Sequence, residues 1–596
     1  MRQGHWVFLL WGLLGLVGRP AAAGVCPVSG LVPLHALTSL AAVSKARRVR
    51  VAGIVTGRFP QLKGYFIEAP RAGWDDNPAT SEAVFVYSST GGSIPMPGQV
   101  LALRALARDF HGSLELVHPR VIRRCGTAEL PPAISLALPL ERRGGWSGLQ
   151  GMRVRFTQPL TVSDLYDFGR YAEVGLTAAG RVFAPGAITR PGPGIARLQA
   201  AVRRHSVWLN DGSYIGKPWP VVLAGHRFDA REPLRLGQVV DNLRGIVHRD
   251  FGRNLIEPLG FMLERRLNRR RTVAQLHLPS GLRIISFNVE NFFNRAFVGA
   301  AFPTERGAAT YHGFVCQRAK LIMALTELDP ALAGLEEIEN NGYGPGSAIA
   351  ELVAGLNAGS GTIYRYVRPP GKRLGTDLIS VALVYNTQKL VRVGRVAELT
   401  HDASPALEAG LKRPVLAASF RQISTGRILT AAVVHLRSKR SRCGSALDGP
   451  PGAGYCARAR LAAVTALNRW LATDPTGVGG GGILVLGDFN AYPYEAAIRA
   501  MRVGGWSNVL AAGGISPRAR YTTSYAQGAG ELDYIFVDSG LIPWLRAARV
   551  WHIDADEADV IGYRGHPICD GPAAAYRASD HDPVIVVLGG YRKIQR

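Results

Sequence analysis

The sequence is poor in acidic residues, in cysteine and in long apolar runs. Its 44 Asp and Glu residues stand against 70 Lys and Arg residues, which gives a formal net charge of +26. This positive surplus, most of it arginine, favours a polyanionic partner because guanidinium groups neutralise phosphates. A solubility bias or an arginine-rich genome would produce the same surplus. Hydrophobic residues make up 47% of the chain and charged residues 19%, which excludes a disordered protein.

Beyond the N-terminus, no apolar run is long enough to cross a membrane, which excludes a polytopic membrane protein. The N-terminus has Arg2, an apolar run from Val7 to Val17 and a small-residue site at Ala21-Ala22-Ala23. This pattern predicts a signal peptide over residues 1–23, with a single anchoring helix as the weaker alternative. The mature protein is therefore expected to be soluble and secreted, either into the periplasm or into the medium.

All six cysteines follow the predicted signal peptide, and none of their spacings resembles a zinc site. An even number of cysteines in an exported chain indicates disulfides, for which many connectivities are possible. We predict the pairs Cys26–Cys125, Cys316–Cys569 and Cys443–Cys456. The last pair would close a loop that is rich in Gly and Pro.

The first half of the chain is rich in short strands separated by Gly and Pro turns. This pattern predicts a small β-barrel in a domain over residues 24–129, and it resembles an OB-fold. Basic and aromatic side chains on such a barrel can bind phosphates and stack on bases. The candidate substrate-binding residues are Arg58, Tyr65 and Phe66, and the alternative is that both rings belong to the barrel core.

Residues 130–265 are predicted to form a second β-rich, OB-like module, because three short echoes link them to the first. The echoes pair Gly98-Gln99-Val100 with Gly237-Gln238-Val239, Arg108-Asp109-Phe110 with Arg249-Asp250-Phe251, and Gly53-Ile54-Val55 with Gly245-Ile246-Val247. A basic run from Glu264 to Arg271 follows, and residues 266–281 are predicted to be a solvated linker. The alternative is a phosphate-binding patch beside the next domain.

From Leu282 onward, apolar strands alternate with helical patterns, which predicts an α/β domain over residues 282–590. Several of these strands end in polar side chains, as α/β enzymes require for a site at the edge of a sheet. The polar residues that follow a predicted strand are Asn288, Glu336, Glu337, His435, Asp488 and Asn490. Because side chains alternate along a strand, only one of the two adjacent glutamates is expected to point inward.

Six motifs in this half resemble the endonuclease/exonuclease/phosphatase superfamily, and in particular its secreted bacterial nucleases with an N-terminal OB-like domain. They are Ser286-Phe287-Asn288-Val289-Glu290-Asn291, Gly334-Leu335-Glu336-Glu337-Ile338-Glu339-Asn340, Val434-His435-Leu436-Arg437-Ser438-Lys439, Gly487-Asp488-Phe489-Asn490, Leu532-Asp533-Tyr534 and Ser579-Asp580-His581-Asp582-Pro583. The resemblance implies the four-layer α/β sandwich of DNase I. Related nucleases often carry His at the position of Tyr534.

The resemblance also implies a role for each matching residue. The metal ligands would be Asn288, Glu337 and Asp580, holding Mg²⁺, Mn²⁺ or Ca²⁺, and Glu336 would be a solvated neighbour. The catalytic residues would be His435, Asp488, Asn490, Asp533 and His581, with Asp533 holding His581 and with Asp377 as a candidate to orient His435. Apart from the resemblance, Arg437 and Lys439, which follow His435, are candidates to contact the substrate phosphate, with solvated surface positions as the alternative.

The sequence therefore predicts a secreted, metal-dependent nuclease that acts as a monomer on DNA, with RNA as a second candidate substrate. One alternative is a phosphoesterase of the same fold that acts on phospholipid head groups or inositol phosphates. Another is a protein that binds nucleic acid without cleaving it, for which tight, salt-sensitive binding would be the signature.

Overall fold

The computed structural model describes residues 26–41, 46–88, 94–266, 268–294, 302–400, 413–444, 448–525 and 528–589. The chain falls into two compact units. The first comprises Met1–Ile134, Arg142–Val154 and Ile246–Asn254, and the second comprises Ser135–Glu141, Arg155–Gly245 and Leu255–Arg596. The predicted signal peptide lies outside the described residues, and the further boundary near residue 265 stays a prediction.

Five strands of the first unit close into a barrel, as the short-strand pattern predicts. They are β1 (Arg47–Phe59), β2 (Gly64–Glu68), β3 (Ala83–Tyr87), β4 (Gln99–Phe110) and β5 (Ser113–Thr127), and helix α1 (Leu34–Ala41) precedes them. The order around the barrel is β1-β2-β3-β5-β4. Neighbouring strands run antiparallel except β3 and β5, which are parallel.

Tyr65 and Phe66 are both buried in this unit, with 3% and 1% of their surface exposed. Because adjacent strand residues face opposite sides, the Tyr65 ring joins the cluster inside the barrel while Phe66 packs on the other side against Phe85. The prediction that these two rings stack on bases is therefore wrong, and the core alternative is correct. Arg58, by contrast, is exposed on β1.

A second β-rich region follows the barrel. Its elements are β6 (Ile134–Leu136), β7 (Arg153–Phe156), β8 (Leu160–Asp164), α2 (Phe168–Tyr171), β9 (Val174–Thr177), α3 (Pro185–Ile188), α4 (Ile195–Arg204), β10 (Ser206–Leu209), β11 (Val221–Leu223), β12 (His226–Phe228), β13 (Val239–Asp250) and β14 (Arg253–Glu264). Strands β11 and β12 form a hairpin, and the other seven form one sheet in the order β14-β10-β9-β8-β13-β7-β6. In this sheet β14 also pairs with β13, which closes a five-stranded ring.

The ring repeats the strand order of the first barrel. Its order is β8-β9-β10-β14-β13, and β10 runs parallel to β14 just as β3 runs parallel to β5. Each fourth strand is entered through a glycine with positive φ, Gly98 at 90° and Gly237 at 86°. Both glycines donate their amide to a carbonyl of the first strand at 2.8 Å. The duplication itself stays a prediction, and Gly53 and Gly245, which the third echo pairs, lie in non-equivalent strands, β1 and β13.

The remaining chain forms the α/β half. Its strands are β15 (Leu282–Phe292), β16 (Leu332–Glu339), β17 (Tyr364–Tyr366), β18 (Ile379–Asn386), β19 (Leu390–Leu399), β20 (Val415–Gln422), β21 (Ile428–His435), β22 (Gly482–Asp488), β23 (Ser507–Asn508), β24 (Thr523–Tyr525), β25 (Gly528–Gly530), β26 (Asp533–Val537), β27 (Leu545–Val550) and β28 (Val584–Leu588). Its helices are α5 (Tyr311–Leu328), α6 (Ala348–Ser360), α7 (Ala457–Leu471), α8 (Ala496–Val503) and α9 (Val509–Ala512). Among the described helices, none has both the length and the apolar character that a membrane crossing requires.

Two six-stranded sheets of this half pack face to face. Their orders are β17-β18-β16-β15-β28-β27 and β19-β20-β21-β22-β26-β23. One core, which includes Leu332, Val433 and Leu486, lies between the sheets. Helices α5 and α6 pack on the outer face of the first sheet, and α7 and α8 pack on the outer face of the second. This arrangement is the predicted four-layer sandwich.

Three disulfides connect the six cysteines. The pairs are Cys26–Cys125, Cys316–Cys569 and Cys443–Cys456, which confirms the predicted pairing. No cysteine is left free.

Candidate active site

Five strands bring polar side chains to one edge of the core between the two sheets. Side chains alternate along a strand, so a polar residue two positions after an inner core residue faces the same space. On β22, Leu484 and Leu486 lie in the inner core, and Asp488 follows them on the same face. The same alternation places Asn288 on β15, Glu336 on β16, His435 on β21 and Asp533 on β26, all of them buried.

Asp488 is held by amides on two sides. Nδ2 of Asn288 lies 3.3 Å from Oδ2 of Asp488, although the two residues are 200 positions apart. The backbone amide of Asn490 donates to Oδ1 at 2.7 Å, and its side-chain amide donates to Oδ2 at 3.0 Å. Burial, together with the charge of Asp533, raises the pKa of Asp488 to about 7.

Asp533 fixes the orientation of His581. Its Oδ2 lies 2.7 Å from Nδ1 of His581, and the hydroxyl of Thr522 donates to the same oxygen at 2.6 Å. Burial alone would lower the pKa of His581, but the charge and the hydrogen bond of Asp533 raise it well above the usual value. The ring is therefore held as an imidazolium at neutral pH, with Nε2 as its second donor.

His435 reaches the site from the second sheet. Its Nε2 lies 3.4 Å from Oδ2 of Asp488 and 3.8 Å from Oε1 of Glu337. Burial, reinforced by the charge of Arg413, lowers the pKa of His435 well below its usual value, so this ring is neutral. The carboxylate of Asp377 does not serve His435 as predicted; it lies 4.0 Å from the guanidinium of Arg413 instead.

Glu336 and Glu337 both belong to the site. Glu336 lies on the inner face and is fully buried, so the prediction that it is a solvated neighbour is wrong. The pairing of β15 with β16 shifts register after Glu336, and Glu337 adopts a left-handed conformation with φ of 67°. This break in the alternation brings Glu337 to the same edge, where it accepts a hydrogen bond from the amide of Asn291 at 3.0 Å. Burial, reinforced by the neighbouring aspartates, raises the pKa of Glu336 well above its usual value.

Asp580 and Glu290 add two further carboxylates. Asp580 precedes His581 and is exposed, and its charge adds to burial in raising the pKa of Glu337. Burial raises the pKa of Glu290 to about 8, although the guanidinium of Arg577, 3.1 Å away, opposes the rise. No role was predicted for Glu290 from the sequence. Its position two residues after Asn288 is the feature that would have indicated a place in the same site.

These acidic groups fit a hard cation. In the part of the chain that the structure describes, ligand atoms of Asp488, Asp533 and His581 lie within 4.8 Å of one another. His581 is an unsuitable ligand because its ring is protonated and engaged by Asp533. One oxygen of Glu337 accepts a hydrogen bond from Asn291, and the other lies 3.8 Å from the neutral His435, so this carboxylate has no cationic side chain beside it at these contacts. A divalent cation with oxygen ligands would supply the missing charge.

The two residues predicted to contact substrate phosphate differ in their surroundings. Lys439 is paired with Glu495 and donates to the carbonyl of Ala453 at 2.8 Å. Burial lowers the pKa of Lys439 to about 8 against the opposing charge of Glu495, so this lysine serves the structure of its loop. These contacts compete with its assignment as a phosphate contact, which stays a prediction. Arg437 is half-buried, and its Nε has no hydrogen-bond partner in the described structure, so its assignment stays a prediction.

Comparison with known proteins adds structural neighbours. No family model matches the chain, and no curated protein matches it. The endonuclease/exonuclease/phosphatase from Bacteroides vulgatus is 16% identical, with a TM-score of 0.33, over 53% of this chain and 100% of that one. Humanized D. rerio TDP2 is 16% identical, with a TM-score of 0.34, over 52% and 100%. The human Nocturnin catalytic domain with bound sulfate is 16% identical, with a TM-score of 0.31, over 52% and 94%. Each of these similarities covers about half of the present chain.

Proposed function

We propose that the chain is a secreted, metal-dependent nuclease that hydrolyses phosphodiester bonds in DNA and in RNA. The observation that carries this proposal is the Asp533–His581 pair, which stands at the same sheet edge as the buried carboxylate of Asp488. A phosphodiester is an anion that repels nucleophiles. Its hydrolysis therefore calls for positive charge on the phosphate and for groups that move protons at a fixed position.

Asn288, Glu337 and Asp580 would hold the cation, for which Mg²⁺ or Mn²⁺ is the best match to oxygen ligands. A bound divalent cation neutralises phosphate charge and lowers the pKa of water. The Glu337 side chain is 16% exposed and Asp580 is exposed, so both can be reached from solvent, whereas Glu336 is buried in the core. Glu336 would thus contact neither metal nor substrate and would influence the site only through its electrostatic interaction with Asp488 and Asp533.

The chain's own groups divide the proton transfers. Asp488, fixed by Asn490, is placed to orient the attacking water and to accept its proton, because a pKa of about 7 leaves it partly ionised at neutral pH. As the water oxygen bonds to phosphorus, the ester bond on the opposite side breaks. His581, kept protonated by Asp533, can donate to a phosphate oxygen as negative charge develops. The neutral His435 can hold a second phosphate oxygen by a hydrogen bond.

Nucleic acid is the polyanion that the rest of the chain favours. The net charge of +26 would draw in a long phosphate backbone. We further propose that both five-stranded rings are OB-folds, because their order, with the third strand parallel to the fifth, is shared. Such barrels bind oligonucleotides along one face, and the exposed Arg58 would contribute to the first of them. The three disulfides support an oxidising compartment, as the predicted signal peptide does.

The test compares single substitutions on plasmid DNA, with Mg²⁺ or with EDTA. Asp488→Asn and His581→Asn are expected to lower kcat by roughly 100- to 10,000-fold, and EDTA is expected to abolish cleavage by the unmodified protein. Asp538→Asn is the matched control. Asp538 lies at the other end of β26 from Asp533 and accepts a hydrogen bond from Ile483 at 2.8 Å, so it is remote from the site. Full activity in Asp488→Asn would overturn the proposal.

The two alternatives are decided in the same experiment. Single-stranded DNA, RNA, sphingomyelin vesicles and inositol hexakisphosphate are incubated in parallel with the same protein and metal. Faster release of phosphate products from the lipid or the inositol phosphate would replace the nuclease assignment. Tight, salt-sensitive binding of DNA without any cleavage would identify a binding protein instead.

A further inference from the structure

Three exposed side chains meet beside the proposed active site. Tyr166 and Tyr525 are 53% and 40% exposed, and their rings lie 5.6 Å apart at an angle of 80°. The guanidinium carbon of Arg440, which is also exposed, lies 3.3 Å from the ring centre of Tyr525. We call this group of three the Tyr–Arg corner. Isolated exposed rings are ordinary on protein surfaces, but here three separate chain segments converge on one point.

The position of the corner is tied to the catalytic residues. Thr523, at the start of β24, pairs with His581 in an isolated antiparallel bridge, and Tyr525 ends the same strand. Two residues of a strand advance the backbone by roughly 7 Å, which is a short step from His581. Arg440 comes from the segment that follows His435 at the end of β21. Two chain links thus connect the corner to catalytic residues: Tyr525 is two residues from the bridge partner of His581, and Arg440 is five residues after His435.

The backbone that carries the corner is held in place. Strand β24 pairs with β25, and β25 takes a further partner from the second β-rich region. The amide of Ala184 donates to the carbonyl of Ala529, and the amide of Ala529 donates to the carbonyl of Val182, both at 2.9 Å. Tyr166, which follows β8, comes from that same region. Two rings on paired backbone lose little freedom when they bind a flat ligand, since only their own χ angles need to be fixed.

We propose that the Tyr–Arg corner stacks one unpaired base next to the bond that is cut, so that the preferred substrate is single-stranded or locally unpaired nucleic acid. This inference rests on the proposed function and adds the substrate class. Tyrosine rings and guanidinium planes are the surfaces on which splayed bases stack in single-strand recognition. The faces of bases inside a duplex are already stacked on neighbouring bases, so the corner can bind a base of a duplex only after that base is unpaired.

The test measures kcat and KM on a single-stranded 12-mer, on the same 12-mer with an abasic site near the cut, and on a duplex. Tyr525→Leu and Tyr166→Leu are expected to lower kcat/KM on the intact single strand by roughly 5- to 50-fold. The abasic strand and the duplex should change less than about twofold, because neither offers a base to the corner. Tyr525→Phe and Arg440→Lys separate stacking from charge: Phe should retain activity, while Lys should lose part of it because an ammonium group is not planar.

Tyr171→Leu is the matched control, since Tyr171 is 44% exposed and has the guanidinium of Arg170 5.0 Å from its ring centre. An independent readout uses 2-aminopurine at successive positions of the strand in EDTA. Its fluorescence should change on binding to the unmodified protein at one position, and this change should be absent in Tyr525→Leu.

The experiment distinguishes failure of the proposed nuclease function from failure of the stacking inference. If the unmodified protein cleaves no phosphodiester, the proposed function fails. If it cleaves, but the intact and abasic strands are cut equally well and the tyrosine variants match the unmodified protein, the stacking inference alone is overturned. An equal loss in Tyr171→Leu would also overturn it, because the effect would then not belong to the corner.

Discussion

Oδ2 of Asp533 lies 2.7 Å from Nδ1 of His581, and the hydroxyl of Thr522 donates to the same oxygen. The carboxylate is fully buried, so its charge acts on the imidazole with little screening by water. Thr522 and Thr523 are consecutive, and Thr523 pairs with the backbone at His581. One short segment thus fixes both the acid and the histidine.

Asp533→Asn is expected to lower kcat by roughly 100- to 10,000-fold while KM changes little, because an amide cannot stabilise the imidazolium. Thr522→Val removes one donor to Asp533 and also the acceptor for the backbone amides of Leu532 and Asp533, so it should lower kcat by roughly 3- to 10-fold and lower stability as well. Thr430→Val is the control, since Thr430 is also buried and makes a 2.6 Å hydrogen bond to Ser419, away from the site. Steady-state kinetics on a defined oligonucleotide measures all three. Equal losses in Thr522→Val and Thr430→Val would show a general effect on folding.

The two adjacent glutamates are expected to respond differently to the same change. Glu337→Gln should raise the Mg²⁺ concentration needed for half-maximal activity by roughly 10- to 100-fold, because a charged ligand becomes neutral. Glu336→Gln should keep activity within about threefold, since the side chain is sealed in the core and Gln has the same shape. Metal titration of activity distinguishes them. A larger effect of Glu336→Gln than of Glu337→Gln on the Mg²⁺ requirement would identify Glu336 as the metal ligand instead.

The strand-end residues could be predicted from sequence because alternation is a local property. Asp488 and His435 follow apolar strands and lie where that pattern places them. Alternation also places Glu336 on the inner face, but it could not predict that Glu337 reaches the same edge, because the left-handed φ of Glu337 and the register shift depend on how β15 and β16 pair. Tyr534 illustrates the opposite face: its hydroxyl donates to the carbonyl of Ala491 at 2.9 Å, and its ring lies in the outer core.

The burial of Phe66 on the outer face of the barrel could not be predicted from sequence. In a barrel strand, the side chains of one face fill the barrel and those of the other face are expected to be exposed. Tyr65 lies on the inner face, so Phe66, its neighbour, lies on the outer face. That face is covered by His248, whose ring lies 5.6 Å from the ring of Phe66. The two residues are far apart in sequence, so composition and periodicity around Phe66 could not reveal the contact. The same limit applies to the Tyr–Arg corner, whose members come from three distant segments.

Asp556 is expected to make stability depend on pH in the acid range. Burial disfavours its ionisation, but the guanidinium groups of Arg181 and Arg235 more than offset this and lower its pKa to about 2. Because the folded pKa is below the unfolded value of 3.8, the stabilisation is complete above that value and is lost as pH falls toward 2. The difference in stability between the unmodified protein and Asp556→Asn should therefore shrink by about 1.6 kcal/mol between pH 6 and pH 2.5. Thermal unfolding at several pH values measures it, and a difference that is constant with pH would contradict the assignment.

The same carboxylate connects the second β-rich region to the active site. Arg181 contacts Asp556 at 2.6 Å, and the hydroxyl of Tyr521 donates to Asp556 at 2.7 Å, one residue before Thr522. Arg181→Met should therefore lower kcat by roughly 3- to 30-fold at a temperature where the protein stays folded, because breaking a buried pair loosens the segment that holds Asp533. Arg227→Met is the control, because Arg227 is exposed and its partner Asp229 is two residues away in the sequence. An unchanged kcat in Arg181→Met would show that the segment is held without this contact.

Removing the Cys443–Cys456 disulfide should affect the Tyr–Arg corner before it affects the fold. The bond joins residues 13 positions apart, and Arg440 stands three residues before the first cysteine. In the chain-entropy account, loss of a cross-link that closes a loop of this size costs about 3 kcal/mol of stability, because the unfolded chain regains freedom. Replacing both cysteines by Ser should therefore speed tryptic cleavage after Arg440 and Arg442, and it should lower kcat/KM on single strands more than on duplex.

The control replaces Cys26 and Cys125, whose bond lies in the first unit. That control should leave cleavage after Arg440 unchanged, because the corner belongs to the second unit; equal acceleration in both variants would mean that the Cys443–Cys456 bond has no local role.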